Sequence, residues 1–215
     1  MINCFLIVVF KRDLVRVEKI FLQIQRMKVG HVFVIDDLSF SCSKNNVYRV
    51  LRRLKKENVI NVAYKGIYYK IEYSEFLGGR KLPPDTMDVI KKIIEKNKEV
   101  IQLYGADAAN RFRISTQMPL TRVFLTSGYS REIHICGARV KFIHTSNKRL
   151  LQYPMHDIGW AIACLYYLGK NLVDDKVLEK IRNHIGDKNF NILKNSDINI
   201  WVKKSIYKYQ LNKNL

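Results

Sequence analysis

Apolar residues recur at helical spacing at Leu14, Val17, Ile20, Phe21 and Ile24, with Arg16, Lys19, Gln23 and Arg26 between them. This pattern predicts an amphipathic helix that stops near Gly30. Residues 32–35 are short, apolar and β-branched, which predicts a brief strand followed by a helical turn from Asp36. Ser41 or Ser43 then stands where a cap is needed for a second helix over residues 44–57. Beyond it the period changes from helical to alternating: Ile60, Val62 and Tyr64, then Ile67, Tyr69, Ile71 and Tyr73, on either side of Lys65 and Gly66. A two-residue link with glycine where a positive φ is required predicts a β-hairpin.

Residues 77–84 form the one stretch rich in both Gly and Pro, which places a domain boundary there and divides the chain into 1–80 and 81–215. Asp85 is positioned to cap a helix carrying Val89, Ile90, Ile93, Ile94, Val100 and Ile101, expected to end at Tyr104 and Gly105. Residues 123–143 read as strands, with turns at Gly128 and Gly137 and the order of a meander. Residues 155–168 are apolar on nearly every side, predicting a central buried helix stopped at Gly169. Lysine-rich helices come after Asp174, where Asp174 and Asp175 suit a cap and the helix dipole. The fold class expected is α+β, an N-terminal winged helix-turn-helix followed by a mixed α/β C-terminal domain.

Charge sharpens this picture. The 215 residues hold 38 Lys+Arg against 19 Asp+Glu, a formal net charge of +19. Such an excess favours a polyanionic partner, nucleic acid before an anionic membrane surface. The charge is spread along the chain, with 15 basic and 7 acidic residues in 1–80, so contact has to come from a local arrangement. The second helix supplies one. At about 100° per residue, Val47, Val50, Leu51 and Leu54 share one side, and Asn45, Arg49, Arg52 and Lys56 the other, flanked by Lys44, Tyr48 and Arg53. Arg can take a guanine edge and Asn an adenine edge with paired hydrogen bonds, while Lys and Tyr suit phosphates. The hairpin adds Lys65 at its tip, then Tyr68 and Lys70. A lone basic helix is usually a solvated face. Here the preceding short helix and the following hairpin favour duplex DNA.

No catalytic chemistry is legible. The chain has no phosphate-binding glycine loop, no HExxH, no GxSxG and no Asp-x-Asp pair, so neither an enzyme nor a cofactor is expected. Cys4, Cys42, Cys136 and Cys164 form no pair at metal or disulfide spacing, which reads as a reducing cytosol. His134, Cys136, His144 and His156 match no zinc pattern and read as packing residues. The apolar run 4–10 is too short for a bilayer and lacks the features of a secretory signal; a buried strand or helix extension is expected. One polar segment stands apart: Asn110, Arg111, Arg113, Ser115, Thr116 and Gln117 lie between a helix and a strand. Its amides suit a loop that ties its own backbone, and its arginines and hydroxyls suit a partner or phosphate.

Several of these stretches resemble a known family. Residues 30–33 with Asp36, Asp37 and Leu38, the run 50–54 and the run 65–69 look like the winged-helix half of the abortive-infection type IV antitoxins. Tyr104 with Gly105, Asn110, residues 115–119, residues 126–128, and Ile200 with Trp201 and Val202 resemble the C-terminal half of that family. The resemblance covers roughly residues 20 to 205 and rests on the order and spacing of short motifs. It implies a bacterial antitoxin in phage defence that represses its own operon through operator DNA. Its C-terminal domain would counteract a nucleotidyltransferase-like toxin without a stable complex. The family often reads Gly-Leu where this chain has Arg113 and Ile114, so the loop's presence carries over and a chemical role does not.

Two other readings stand beside it. One is a winged-helix regulator whose C-terminal domain dimerises or binds an effector. The other is a nucleic-acid-processing enzyme that uses the winged helix for docking, against which the lack of a clustered carboxylate or Cys/His site argues.

Overall fold

A computed structural model describes residues 18–39, 43–116 and 119–213. The expectations that involve residues 4–10, Leu14, Arg16, Val17, Ser41, Cys42 and Gln117 lie outside them. The described residues form an α+β protein and fall into two compact units. One runs up to Asn97 and includes residues 135–137; the other holds residues 98–134 and those from Ala138 onward.

The first unit is built from helix α1 (residues 18–26), strand β1 (Val32–Val34), a 3₁₀ turn (Ile35–Asp37), helix α2 (Lys44–Lys56) and strands β2 (Ile60–Tyr64) and β3 (Ile67–Lys70). β3 lies between β1 and β2, antiparallel to both. Ile20 and Ile24 of α1, Phe33 and Leu38, the inner side of α2 and Ile60 make one core. Tyr64 pairs with Ile67 across the expected two-residue turn. The alternation in β2 is not continuous, because a bulge between Val62 and Tyr64 leaves Val62 exposed and turns Ala63 inward.

The stretch expected to separate two domains forms a second hairpin instead. Strands β4 (Glu72–Ser74) and β5 (Arg80–Leu82) pair antiparallel, with Gly78 and Gly79 at positive φ in the turn between them. The glycines mark a turn and not a linker. Helix α3 (Thr86–Asn97) also belongs to the first unit, so the division falls after Asn97. Asp85 caps α3 as expected, its carboxylate accepting from the Met87 N–H at 2.6 Å.

β6 (Ile101–Tyr104), β7 (Thr121–Thr126), β8 (Arg131–Ile135) and β9 (Ala138–His144) form a sheet ordered β6-β7-β9-β8, which belongs to the second unit except for Ile135. Two expectations change here. The helix expected to continue to Tyr104 stops at Asn97: Lys98 takes φ 54°, and residues 101–104 form a strand. The expected meander is replaced by β9 inserted beside β7 in parallel, with Phe124 opposite Phe142 and their rings 5.7 Å apart. Strand periodicity states which face is buried and is silent about which strand is the neighbour.

Helices α4 (Ala106–Arg111), α5 (Asp157–Leu168), α6 (Asp175–Asn195) and α7 (Ile200–Lys213) supply the rest of this unit's core. α5 is buried over most of its surface and ends at Gly169, as its all-round apolar sequence predicts. Asp174 caps α6, accepting from the Val177 N–H at 2.8 Å, and the helix kinks at Gly186. Buried Gln102 of β6 donates to the carbonyls of Gln152 and Tyr153, fastening the sheet to the segment ahead of α5. Gly159 faces that junction. A Cβ there would overlap the Gln102 amide and the Tyr153 carbonyl and stand 2.7 Å from the Gln152 carbonyl. Two of these three obstacles are backbone and cannot swing aside. Gly159→Ala is therefore expected to destabilise the second unit by about 3 kcal/mol, the upper range for overpacking, as read by urea denaturation.

Candidate nucleic-acid interface

α2 begins where Ser43 Oγ accepts from the Asn46 N–H at 3.4 Å, and its last turn carries Arg53, Lys55 and Lys56, which suits the negative end of the helix dipole. Val47, Val50, Leu51 and Leu54 are buried. Lys44, Asn45, Tyr48, Arg49, Arg52, Arg53 and Lys56 are all exposed, as the sequence partition requires. Arg53 pairs with Glu57 at 2.8 Å, and this contact holds its guanidinium pKa above the usual value. Arg49, Arg52 and Lys56 have no ion pair among the described residues. The helix thus presents free cations along its middle and a compensated one near its end.

The β2–β3 turn comes close to the first turns of α2. Lys44 and Tyr48 line a cleft of about 440 Å³ together with Asp36, Gly66, Lys92, Glu95 and Lys96. Lys96, near the end of α3, donates to the Lys65 carbonyl at 3.4 Å. Gly66 lies at φ 74°, and a Cβ on it would stand 3.2 Å from the Lys96 ammonium. Glycine therefore serves twice, for the turn and for the close approach of α3. Sequence reasoning misses Lys96 and Lys92, because it assigns α3 to the second domain. Nothing in the spacing of α3 marks them.

Two hairpin residues sit differently. Tyr68 is half-buried and stacks on Phe33 with ring centroids 5.9 Å apart; burial, then the nearby Tyr48, pushes its pKa up. The Lys70 ammonium donates to the carbonyls of Gln25 at 2.6 Å and Met27 at 2.8 Å. Its charge is spent on the end of α1.

In the second unit the polar segment is held locally. Arg111 lies over the Trp160 ring at 3.6 Å and 3.9 Å from Asp157, Phe112 is buried, and Arg113 takes φ 55° with its carbonyl accepting from Lys180 at 3.0 Å. Asn110 and Ser115 are both engaged, and Thr116 is exposed. The segment is thus fastened to α5 through Arg111 and to α6 through the Arg113 carbonyl.

Other polar residues with functional potential have structural roles. Asp37 accepts from the Val34 N–H at 2.9 Å and holds Lys92 at 3.1 Å, while its carbonyl accepts from Gln23. His156 caps α5, its Nδ1 accepting from the Ile158 N–H at 3.3 Å. The Cys164 thiol is buried, and desolvation pushes its pKa up to about 12, which removes the reactive thiolate. Among the described residues no three His, Cys, Asp or Glu side chains gather as metal ligands, and no helix is long and apolar enough to cross a membrane.

The candidate interface is therefore a set of exposed side chains on α2, with a hairpin turn at one end. The chain belongs to a family of unknown function (DUF6088), whose model matches residues 19–209. That span takes in residues of both units. No curated protein and no solved structure matches the chain.

The two sides of α2 predict a split in mutant stability. Arg49→Ala and Arg52→Ala should each change unfolding free energy by less than about 0.5 kcal/mol. Leu54→Ala, at a position with no exposure, should cost about 2–5 kcal/mol. Chemical denaturation of the three variants measures this directly.

Proposed function

We propose that the first unit is a winged helix-turn-helix that binds duplex DNA, with α2 as the reading helix and the β2–β3 turn as the wing. The observation that carries this is the clean partition of α2: four apolar side chains inside, and Asn45, Arg49 and Arg52 exposed in a row on a helix that holds no carboxylate of its own. Arg49 and Arg52 have the reach and the paired donors for guanine edges, and Asn45 for adenine. Lys44, Lys56 and Lys65 supply phosphate contacts that set position.

On this reading the protein is a cytoplasmic transcriptional repressor acting on operator DNA, with no catalytic role. The resemblance to type IV antitoxins supports a finer assignment: an autorepressor that also counteracts a nucleotidyltransferase-like toxin without forming a stable complex with it. Co-expression with a neighbouring nucleotidyltransferase gene in a growth assay tests that part; unrelieved toxicity contradicts it.

Binding to DNA from the protein's own upstream region tests the first part. Arg49→Ala or Arg52→Ala should cost about 1–3 kcal/mol at the preferred site and relax preference at one base pair. Lys65→Ala should weaken all sequences by a similar factor. Affinity for duplex should fall with salt at a log–log slope of about −0.9 per phosphate contacted. Folded arginine variants that bind like the wild type would remove α2 as the reader.

A further inference from the structure

Helix α7 carries Lys203, Lys204, Lys208 and Lys213 and no carboxylate. Val202, Ile206 and Tyr209 are buried in the second unit's core, which turns Lys203, Lys204, Tyr207 and Lys208 outward. Two adjoining clefts of about 540 and 410 Å³ run along this face and share Lys204 and Lys208. Lys194 of α6 borders one and Lys170 the other, and no Asp or Glu lines either. The strip has an end: Asp174 and Asp175 line the next cleft beyond Lys208, and Lys213 is paired with Glu179 at 2.6 Å.

Lys170, Lys203, Lys204 and Lys208 have no ion pair among the described residues. Like charges gathered without compensation repel one another, and a polyanion relieves that repulsion. The surface between them is largely apolar. Tyr207 is 58% exposed and Leu211 51%, and the Lys194 ammonium stands 5.7 Å from the Tyr207 ring. A duplex would satisfy the lysines with phosphates but keep its base faces stacked inside, leaving this apolar floor without a use. A single strand offers both phosphates and base faces, the combination that lysine-lined grooves with aromatic platforms hold. The Asn195 amide in the cleft wall adds a donor and an acceptor suited to a 2′-hydroxyl.

We propose that the α6–α7 face binds single-stranded RNA, with Lys203, Lys204 and Lys208 on phosphates and a base stacked on Tyr207. This surface lies in the second unit and does not depend on DNA reading by the first.

The test uses the full chain and a fluorescent, unstructured RNA of about 12 nucleotides, within the usual span of single-strand sites, with anisotropy as readout. The triple change Lys203→Gln, Lys204→Gln and Lys208→Gln is expected to weaken binding at least roughly tenfold and to flatten a salt slope of about −0.7 per phosphate. Tyr207→Ala should weaken it roughly five- to hundredfold and Tyr207→Phe should keep it, because the ring and not the hydroxyl stacks. Arg49→Ala with Arg52→Ala should leave RNA binding unchanged. All these side chains are exposed, and thermal melts matching the wild type confirm that the variants fold. Wild-type affinity in both the triple variant and Tyr207→Ala would overturn the proposal. Displacement of the RNA by a duplex, or by a DNA strand of the same sequence, as readily as by RNA itself would overturn it as well.

Discussion

The first unit depends on removing one apolar stripe of α2 from water. Val47, Val50, Leu51 and Leu54 are each nearly or wholly buried, and full burial of such a side chain stabilises by about 1.5–3 kcal/mol. Ile20, Ile24, Phe33 and Ile60 arrive from three different elements to cover that stripe. Because the stripe is fixed inward, the basic residues between its members have nowhere to go but outward. The polar ties serve the same end. Asp37 joins the 3₁₀ turn to α3 through Lys92, Gln23 links α1 to that turn through the Asp37 and Ser39 backbone, and Lys70 closes the end of α1. The outward face of α2 is thus held on a support that its own cations do not help to build.

Much of this is legible in the sequence, and the reason is local. The period of three to four in residues 44–57, Ser43 as a cap, Lys65 and Gly66 as a turn, Asp85 and Asp174 as caps and Gly169 as a stop all act within a few residues. Expectation and structure part where the decisive contact is distant in sequence or where one residue type has two uses. Gly78 and Gly79 serve a hairpin as well as they would a linker. Val100 and Ile101 continue a helical spacing by coincidence, and the break at Lys98 lies in a residue with no bias toward positive φ. The insertion of β9 beside β7 is set by packing such as Phe124 on Phe142. The candidate interface is legible to the extent that it lies on one helix. Lys96, which reaches the Lys65 carbonyl from α3, and Lys70, which is turned to the end of α1, are placed only by the fold.

The second unit solves a different problem. Its centre is α5, apolar on almost every side, so neighbours must surround it: α4, α6 and β6 all pack on it. α7 is the opposite case, with a hydrophobic side that joins the core and a lysine side that meets no carboxylate across two clefts. The same chain therefore carries cationic surfaces of two kinds. One is rich in arginine and displayed on a helix beside a turn; the other is rich in lysine and set around apolar hollows.

The composition of the second core has a consequence for how the protein is made. Ala108 and Ala109 share one cluster with Val202, Ile206 and Tyr209, so residues 93 to 101 positions apart must both be present before that core can close. The first unit, by contrast, is complete once Gly137 has been added. Chains emerge from the ribosome from the N-terminus, and domains fold as they become complete. The first unit can therefore close while α7 is still being synthesised, whereas the second unit's core lacks its last helix until α7 has left the tunnel. In that interval the nascent chain carries a folded basic head followed by a core that still wants one side of its cover.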